Sequence, residues 1–450
     1  MNIHFISIGG SAMHNLALAL KNSGNKISGS DDEIFEPSLG RLKEAGLLPN
    51  KFGWFPENIS NKLDIIILGM HAKPDNPELL KAQELGLKIV SYPEFIYQQS
   101  LNKKRIVIGG SHGKTTITSM VMHVLSDMGA DFDYMVGSKI KGFEVMVKLS
   151  DAPIIVLEGD EYLSSPIDRR PKFHWYKPHI AVLTGIAWDH INVFPTFDNY
   201  KQQFSKFINL IEPQGKLFYY DGDMVLKDLV LENTNNIQKV PYNLPQNETL
   251  DGVSYIVNEN TKYPMQVFGN HNLTNIIAAK DICVEIGVDE DEFFRSIGSF
   301  DGASNRLELI ALSDTNRVFK DFAHAPSKVL ATVNAVSRQF KHKKLVVCFE
   351  LHTYSSLNSK FISQYRGCLD EADEAAIYFN PHALQIKKLP PLTQKDVIDA
   401  FDSDKIDVFS DSRKLQDWVL KKHSLNTVFL FMSSGNFDGI NLNEFAKKLV

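Results

Sequence analysis

The most informative segment of the chain is RIVIGGSHGKTT, residues 105–116. Apolar residues of strand character run into glycines, and a helical pattern follows from about Lys114. A glycine-rich turn between a strand and a helix presents backbone N–H groups to an anion. Lys114 would neutralise β- and γ-phosphate charge, and the Thr115 hydroxyl would bind Mg²⁺. The segment therefore predicts a nucleotide phosphate site at Gly110, Ser111, His112, Gly113, Lys114, Thr115 and Thr116.

This phosphate loop is a shortened variant of the Walker pattern. The full pattern requires glycine at position 108, where the chain has Ile108. The alternative is an ordinary glycine-rich turn with an incidental lysine. The strand, the helix and the run of Gly113, Lys114, Thr115 and Thr116 argue together against it.

Acidic residues follow a second strand of buried character. The strand over 153–157 leads into Glu158, followed by Gly159, Asp160 and Glu161. A carboxylate at this position often supplies the second protein ligand of a nucleotide-bound Mg²⁺. A third strand, over 179–183, precedes Asp189 and His190. A lone histidine is usually structural, but this one is expected at the edge of the sheet where ligands gather.

The order of strands and helices indicates an α/β fold. A chain of 450 residues is expected to form two or three domains. Polar residues 100–104 and the segment 300–304 are the candidate linkers, and residues 215–268 predict short strands and turns. The predicted domains are a Rossmann-like domain over 1–102, a central P-loop ATPase domain over 103–302 and a second Rossmann-like domain over 303–450.

Composition limits the class of protein. The net charge of −6 argues against a nucleic-acid partner. The three cysteines lack metal-ligand spacing and fit a reducing compartment. No apolar run is long enough to span a bilayer, so neither a membrane nor a signal peptide is expected. A cytoplasmic enzyme is the expectation, and nothing indicates its oligomeric state.

An ordered set of motifs resembles the Mur ligases over essentially the whole chain. After the phosphate loop come Glu158 to Glu161 and Asp189-His190, and then the segments 269–275, 305–308 and 321–326. The resemblance implies an ATP- and Mg²⁺-dependent ligase that forms an acyl phosphate. It also implies that Thr115 and Glu158 bind one Mg²⁺ and His190 a second. Lys114, His190 and Arg306 would be catalytic, and the remaining nucleotide contacts would be Asn272, Asn275, Asp321 and His324.

The segment after Asp189-His190 places the chain within the family. Several Mur ligases have a carbamylated lysine four residues after a tyrosine, whereas Tyr200 is followed at that distance by Phe204. The chain therefore resembles the branch that binds UDP-N-acetylmuramate and lacks this lysine.

The expected acceptor within that branch is a murein tripeptide in cell-wall recycling, and the alternative is free L-alanine. Tyr162, the segment 321–324 and the loop 432–439 favour the tripeptide. Small residues and glycines in that loop would leave backbone N–H groups free for the carboxylates of the peptide. The alternative is that this loop binds no ligand and only forms a turn. Residues 350–354 differ from the corresponding segments of both the tripeptide-adding and the L-alanine-adding ligases.

The N-terminal segment offers a rival interpretation. Residues 8–13 resemble a dinucleotide-binding loop, and Asp31 follows at the sequence spacing expected for the carboxylate that binds the ribose. Against a nicotinamide-dependent oxidoreductase, the loop lacks the third glycine of the dinucleotide fingerprint, and the phosphate loop would have no function. A non-catalytic nucleotide-binding regulator is also disfavoured, because no residue needed for catalysis is missing. In a Mur ligase the same region would bind the UDP-sugar through Gly9, Gly10, Ser11, Ser30, Asp31 and His71.

Overall fold

The computed structural model describes residues 1–188, 193–250, 253–302 and 307–450. These residues form two compact units. The first contains Met1–Asn243 with Asn275–Ile297, and the second contains Leu244–Thr274 with Gly298–Val450. The three domains expected over 1–102, 103–302 and 303–450 stay a prediction, because two domains that pack closely can form one compact unit.

A four-stranded parallel sheet begins the first unit, with strand order β2-β1-β3-β4. Its strands are β1 (Asn2–Ile6), β2 (Lys26–Ser30), β3 (Ile65–Leu68) and β4 (Ile89–Ser91). Its helices are α1 (Ser11–Asn22), α2 (Ser38–Glu44), α3 (Pro77–Glu84) and α4 (Tyr92–Gln99). The chain leaves β1 towards β2 on one side and returns to β3 on the other. Such a change of direction opens a crevice at the carboxyl ends of the strands, where ligands bind in α/β folds.

A seven-stranded sheet completes the first unit, with order β11-β10-β9-β5-β8-β6-β7. Its strands are β5 (Lys104–Gly109), β6 (Asp133–Met135), β7 (Val147–Lys148), β8 (Ile154–Glu158), β9 (Ile180–Leu183), β10 (Lys216–Tyr220) and β11 (Gln238–Tyr242). The accompanying helices are α5 (Lys114–Asp127), α6 (Phe197–Asn209), α7 (Met224–Glu232), α8 (Asn270–Glu285) and α9 (Glu290–Ile297). The division between the two units falls within α8.

The register of the central strands determines which loops meet. Ile108 of β5 pairs with Glu158 of β8, and Gly109 of β5 pairs with Leu183 of β9. All three strands are parallel and end at this level. The sheet therefore brings the segments after β5, β8 and β9 to one edge.

The second unit contains two sheets among its described residues. The antiparallel sheet consists of β12 (Asn247–Leu250), β13 (Val253–Asn258) and β14 (Thr261–Met265). The larger sheet has the order β15-β16-β20-β17-β18-β19 and is parallel except at β15. Its strands are β15 (Glu308–Leu312), β16 (Arg317–Asp321), β17 (Lys344–Leu351), β18 (Glu374–Phe379), β19 (Ile406–Phe409) and β20 (Thr427–Met432). Its helices are α10 (Pro326–Gln339), α11 (Pro381–Ile386), α12 (Gln394–Phe401), α13 (Ser412–Lys421) and α14 (Leu442–Ala446).

The predicted α/β class is confirmed, with one difference in detail. Residues 215–268 contain the helix α7 as well as strands, and Asp223 caps it by accepting a hydrogen bond from the Leu226 N–H. The expectation of only short strands and turns there was wrong. Glu158 lies at the carboxyl end of β8, as expected. Within the described residues, none of the helices has both the length and the apolar character that crossing a membrane requires.

Candidate active site

The phosphate loop is a tight turn between β5 and α5. Gly110 has φ +117° and Gly113, the residue before α5, has φ +77°. A Cβ on Gly110 would lie 2.2 Å from the Thr184 hydroxyl oxygen, and one on Gly113 would lie 2.7 Å from the Asn275 side-chain oxygen. Both positions therefore require glycine. The result is a compact backbone turn at the N-terminus of a 14-residue helix, as an anion site needs.

Lys114 lies inside this turn rather than in solvent. Its ammonium donates hydrogen bonds to the Gly110 carbonyl and to the Glu161 carboxylate, each at 2.7 Å. The side chains of Lys114 and Glu161 are 15% and 1% exposed. Burial disfavours the charged ammonium, but the carboxylates of Glu161 and Asp160 outweigh it and raise the pKa of Lys114. The sequence did not indicate that the predicted phosphate ligand has an internal carboxylate partner.

The two predicted ligands of the first Mg²⁺ are in contact. The Thr115 hydroxyl donates to the Glu158 carboxylate at 2.8 Å, and the other oxygen of that carboxylate accepts from the Gly137 N–H at 2.9 Å. Hydroxyl and carboxylate oxygens suit Mg²⁺, which normally completes its shell with phosphate oxygens and water. No group of three or more histidine, cysteine or acidic side chains in the part of the chain that the structure describes could hold a metal ion. Two protein oxygens leave room in the shell for phosphate oxygens and water, as an ion bound together with a nucleotide requires.

A hydrogen-bond chain connects Glu161 to the phosphate loop. The Tyr200 hydroxyl donates to Glu161 at 3.1 Å and lies 3.0 Å from the Ser111 hydroxyl. Ser111 in turn accepts from the Ala187 N–H at 2.8 Å. Since Tyr200 uses its proton on Glu161, Ser111 donates to Tyr200. Neither Glu161 nor Tyr200 was predicted to have a role, although Glu161 belongs to the acidic motif after β8 and Tyr200 lies four residues before Phe204.

A second buried lysine lies next to the acidic segment. The Lys172 ammonium contacts the Asp160 carboxylate at 2.5 Å and lies 5.6 Å and 5.7 Å from the ring centroids of Tyr92 and Tyr162. Burial disfavours the charge on Asp160, but Lys172 and Lys114 outweigh it and hold the pKa of Asp160 well below its usual range. The edge of the sheet therefore contains alternating positive and negative side chains.

Phe204 occupies a closed apolar position on α6. It is fully buried, and its ring packs against Phe173 at 5.6 Å and Tyr200 at 5.1 Å between centroids. Phe204, which lies one helical turn after Tyr200, is therefore a core residue and has no amine that could be carbamylated.

The N-terminal loop has an internal carboxylate of its own. The Gly9 N–H donates to the Asp31 carboxylate at 2.7 Å, and Asp31 is 5% exposed. Burial raises the pKa of Asp31 to about 6. Gly10 and Ser11 lie at the start of α1, while His71 is exposed. Ser30 is 1% exposed and accepts a hydrogen bond from the Asn58 amide at 3.2 Å, so it lies in the interior.

The remaining predicted nucleotide contacts lie in α8 and in the second unit. Asn275 contacts the phosphate loop at Gly113, whereas Asn272 donates to the Phe268 carbonyl at 2.9 Å. In the second unit, Asp321 accepts from the N–H groups of Leu307 and Ala323, and the His324 ring lies 2.8 Å from the Phe322 carbonyl. The predicted residues that lie outside the described part of the chain are Asp189, His190 and Arg306.

Comparison with known proteins agrees with this geometry. The family model described as "Mur ligase family, catalytic domain" matches residues 2–104, and "Mur ligase middle domain" matches residues 108–283. UDP-N-acetylmuramate–L-alanine ligase of Clostridium botulinum (strain Okra / Type B1) is 32% identical over 389 residues, which cover 83% of this chain and 81% of the relative. The enzyme of the same name from Aquifex aeolicus (strain VF5) is 29% identical over 368 residues, covering 78% of each chain.

Solved structures share the fold along the whole chain. UDP-N-acetylmuramate–alanine ligase MurC from Thermotoga maritima has a TM-score of 0.73 at 21% identity and covers 100% of this chain and 99% of its own. A murein peptide ligase from Psychrobacter arcticus has a TM-score of 0.65 at 22% identity and covers 100% and 98%. The Clostridium botulinum relative and the two family models together show that the chain belongs to the Mur ligase family of ATP-dependent ligases, which act in peptidoglycan synthesis.

Proposed function

We propose that this chain activates the carboxylate of UDP-N-acetylmuramate with ATP and joins it to an amine. The observation that supports this most is the arrangement of Lys114, Thr115 and Glu158 at one edge of the central sheet. A carboxylate is a poor electrophile, and transfer of the γ-phosphoryl group turns it into an acyl phosphate. The amine then attacks the carbonyl carbon, and inorganic phosphate leaves with the C–O bond electrons.

The first step brings two anions together, so the site must compensate negative charge. Lys114 would contact the transferred phosphoryl group, and Thr115 with Glu158 would hold Mg²⁺ on the nucleotide. The metal ion supplies charge neutralisation when it is bound. His190, Arg306, Asn272, Asn275, Asp321 and His324 are proposed as further metal and nucleotide contacts.

The UDP-sugar is assigned to the crevice between β1 and β3 of the N-terminal sheet. Gly9, Gly10 and Ser11 lie where β1 meets α1, and His71 follows β3 on the same edge. Helix N-termini of this kind bind diphosphates. Asp31 would then have to give up its bond to the Gly9 N–H or share it with the ligand. Because ATP and UDP-sugars are soluble cytosolic metabolites, we place the reaction in the cytoplasm.

Free L-alanine is the better-supported acceptor. The sequence relatives from Clostridium botulinum, Syntrophomonas wolfei and Aquifex aeolicus are all L-alanine ligases by name. The sequence-based preference for a tripeptide receives less support from these relatives. A murein peptide ligase of Neisseria meningitides, 25% identical over 66% of this chain with a TM-score of 0.60, keeps the tripeptide as the second candidate.

The loop after β20 weakens the physical argument for a tripeptide. The N–H groups of Ser433 and Gly439 donate to the Asp321 carbonyl and to Asn436, and the Phe437 N–H donates to the Glu350 carboxylate at 2.8 Å. The Gly435 N–H bonds the Ser433 hydroxyl. The expectation that this loop leaves these N–H groups free for peptide carboxylates was therefore wrong. Tyr162 and residues 321–324 remain the features that favour the tripeptide.

One assay separates the acceptors. We would measure kcat/KM for L-alanine and for L-alanyl-γ-D-glutamyl-diaminopimelate at equal concentrations of ATP, Mg²⁺ and UDP-N-acetylmuramate, following ADP release. A higher kcat/KM for L-alanine is expected. A preference for the tripeptide would assign the chain to the second candidate, and ADP release that depends on neither amine would contradict the ligase proposal.

A further inference from the structure

The contact between Lys114 and Glu161 has a consequence for nucleotide binding. One ammonium at the mouth of the phosphate loop is already bound to a carboxylate at 2.7 Å, and that carboxylate is 1% exposed. Any phosphate that reaches the Lys114 ammonium meets this negative charge within a few ångströms. Two anions at that distance repel strongly when water is excluded.

Glu161 is held in place from a second side. Its other carboxylate oxygen accepts from the Tyr200 hydroxyl at 3.1 Å, and Tyr200 is itself fully buried on α6. Its neighbour Asp160 is engaged by Lys172 and cannot replace it on Lys114 without breaking that pair. Glu161 is therefore the carboxylate that is hydrogen-bonded to the Lys114 ammonium, and the Tyr200 hydroxyl holds it in that position.

We propose that Glu161 is a positioning residue that occupies Lys114 in the nucleotide-free enzyme and gives it up to the phosphate of the nucleotide. Binding then exchanges a carboxylate oxygen for a phosphate oxygen on the same ammonium, and departure of the phosphate lets the pair form again. Glu161 thus weakens nucleotide binding and speeds release of ADP. This inference rests on the proposed role of the phosphate loop, but it is independent of the acceptor.

The test is the affinity for ADP without Mg²⁺, measured by isothermal titration calorimetry with no sugar nucleotide or amine present. Glu161→Gln keeps a hydrogen-bond acceptor for Lys114 and removes the competing charge. We expect its Kd for ADP to fall about tenfold. Glu161→Asp keeps the charge but shortens the reach, and we expect a smaller fall. Asp168→Asn is the matched control, because Asp168 pairs with Arg170 and Trp175 rather than Lys114, and its Kd should equal that of the wild type.

Thermal unfolding distinguishes this role from a structural one. Removing the partner of a buried lysine should lower the melting temperature of Glu161→Gln without ligand, while saturating ADP should raise it by more than in the wild type. A merely structural residue would lower both stability and affinity. An unchanged or higher Kd in both Glu161 variants would overturn the inference. Failure of the wild type itself to bind ADP would instead refute the phosphate-loop assignment.

Discussion

Replacing Lys114 by alanine should impair both the reaction and the fold, and the two effects can be separated. A lysine in solvent could be truncated without harm to the fold, but the Lys114 and Glu161 side chains are only 15% and 1% exposed. Removing one partner of a buried pair leaves an uncompensated charge and typically costs about 3–5 kcal/mol. Because the truncated side chain would admit water, we expect the lower end of that range for Lys114→Ala.

A double-variant cycle tests this reasoning. In Lys114→Ala with Glu161→Gln, no unpaired charge remains, so the melting temperature should recover most of the loss seen in Lys114→Ala alone. The ligation rate should stay at least about 10²-fold below the wild type in both variants, since the donor to the phosphoryl group is missing in each. Lys81→Ala, which removes an exposed partner of Glu84, is the control and should melt close to the wild type.

Two outcomes would refute the argument. Wild-type stability of Lys114→Ala would show that the pair contributes nothing in solution. Ligation by Lys114→Ala within about tenfold of the wild type would remove Lys114 from the reaction, because one lost charged donor costs roughly 10²-fold or more. Because a chain with two compact units can unfold in more than one step, the comparison should use the melting transitions of matched variants under identical conditions.

Three further predictions concern other positions. Because Phe204 is buried between Phe173 and Tyr200, activity should not change when bicarbonate is removed and restored, and a CO₂ adduct on an active-site lysine in the mass spectrum would contradict this. Gly110 has φ +117°, and a Cβ at this position would lie 2.2 Å from Thr184, whereas Gly129 has φ +67° and open space around it. Gly110→Ala should therefore lower the melting temperature and the affinity for ADP more than the control Gly129→Ala does. Equal losses in the two glycine variants would show that the Thr184 contact is unimportant. Burial raises the pKa of Asp31 from 3.8 to about 6, so the folded chain binds the carboxyl proton more tightly than the unfolded chain does. Protonation of Asp31 therefore favours the folded state at low pH, and this stabilisation is lost as the pH rises from about 4 to about 6. Asp31→Asn should therefore raise the melting temperature at neutral pH relative to the wild type and lower its dependence on pH between 4 and 6, and an unchanged pH profile would contradict the role of Asp31.

The sequence predicted the fold well where its pattern was strong. The buried strands Ile154–Glu158 and Ile180–Leu183 were predicted to within one residue at each end, since apolar runs that end in glycine or acidic residues have few alternative structures. The helix Met224–Glu232 was missed. Its apolar residues, among them Met224 and Leu231, are partly exposed, which obscures the helical period.

The backbone geometry of the predicted phosphate loop was easier to predict than the contacts of its side chains. The positions of Gly110, Gly113 and Lys114 follow from local rules, because positive φ and a helix N-terminus can be inferred from neighbouring residues. The partner of Lys114 could not be inferred in this way. It lies 47 residues along the chain and reaches Lys114 through the parallel pairing of β5 with β8, which no local pattern specifies.

Both predicted anion sites of the first unit share one property that the sequence concealed. A carboxylate of the chain occupies each of them, Asp31 on the Gly9 N–H and Glu161 on the Lys114 ammonium. A buried donor without a partner costs free energy, so a site built for an anion is stabilised by an internal one until the ligand arrives. The stronger the internal contact, the weaker the net binding of the ligand. The spacing of glycine and lysine therefore indicates where an anion binds, whereas the affinity depends on an acidic residue brought there by the sheet.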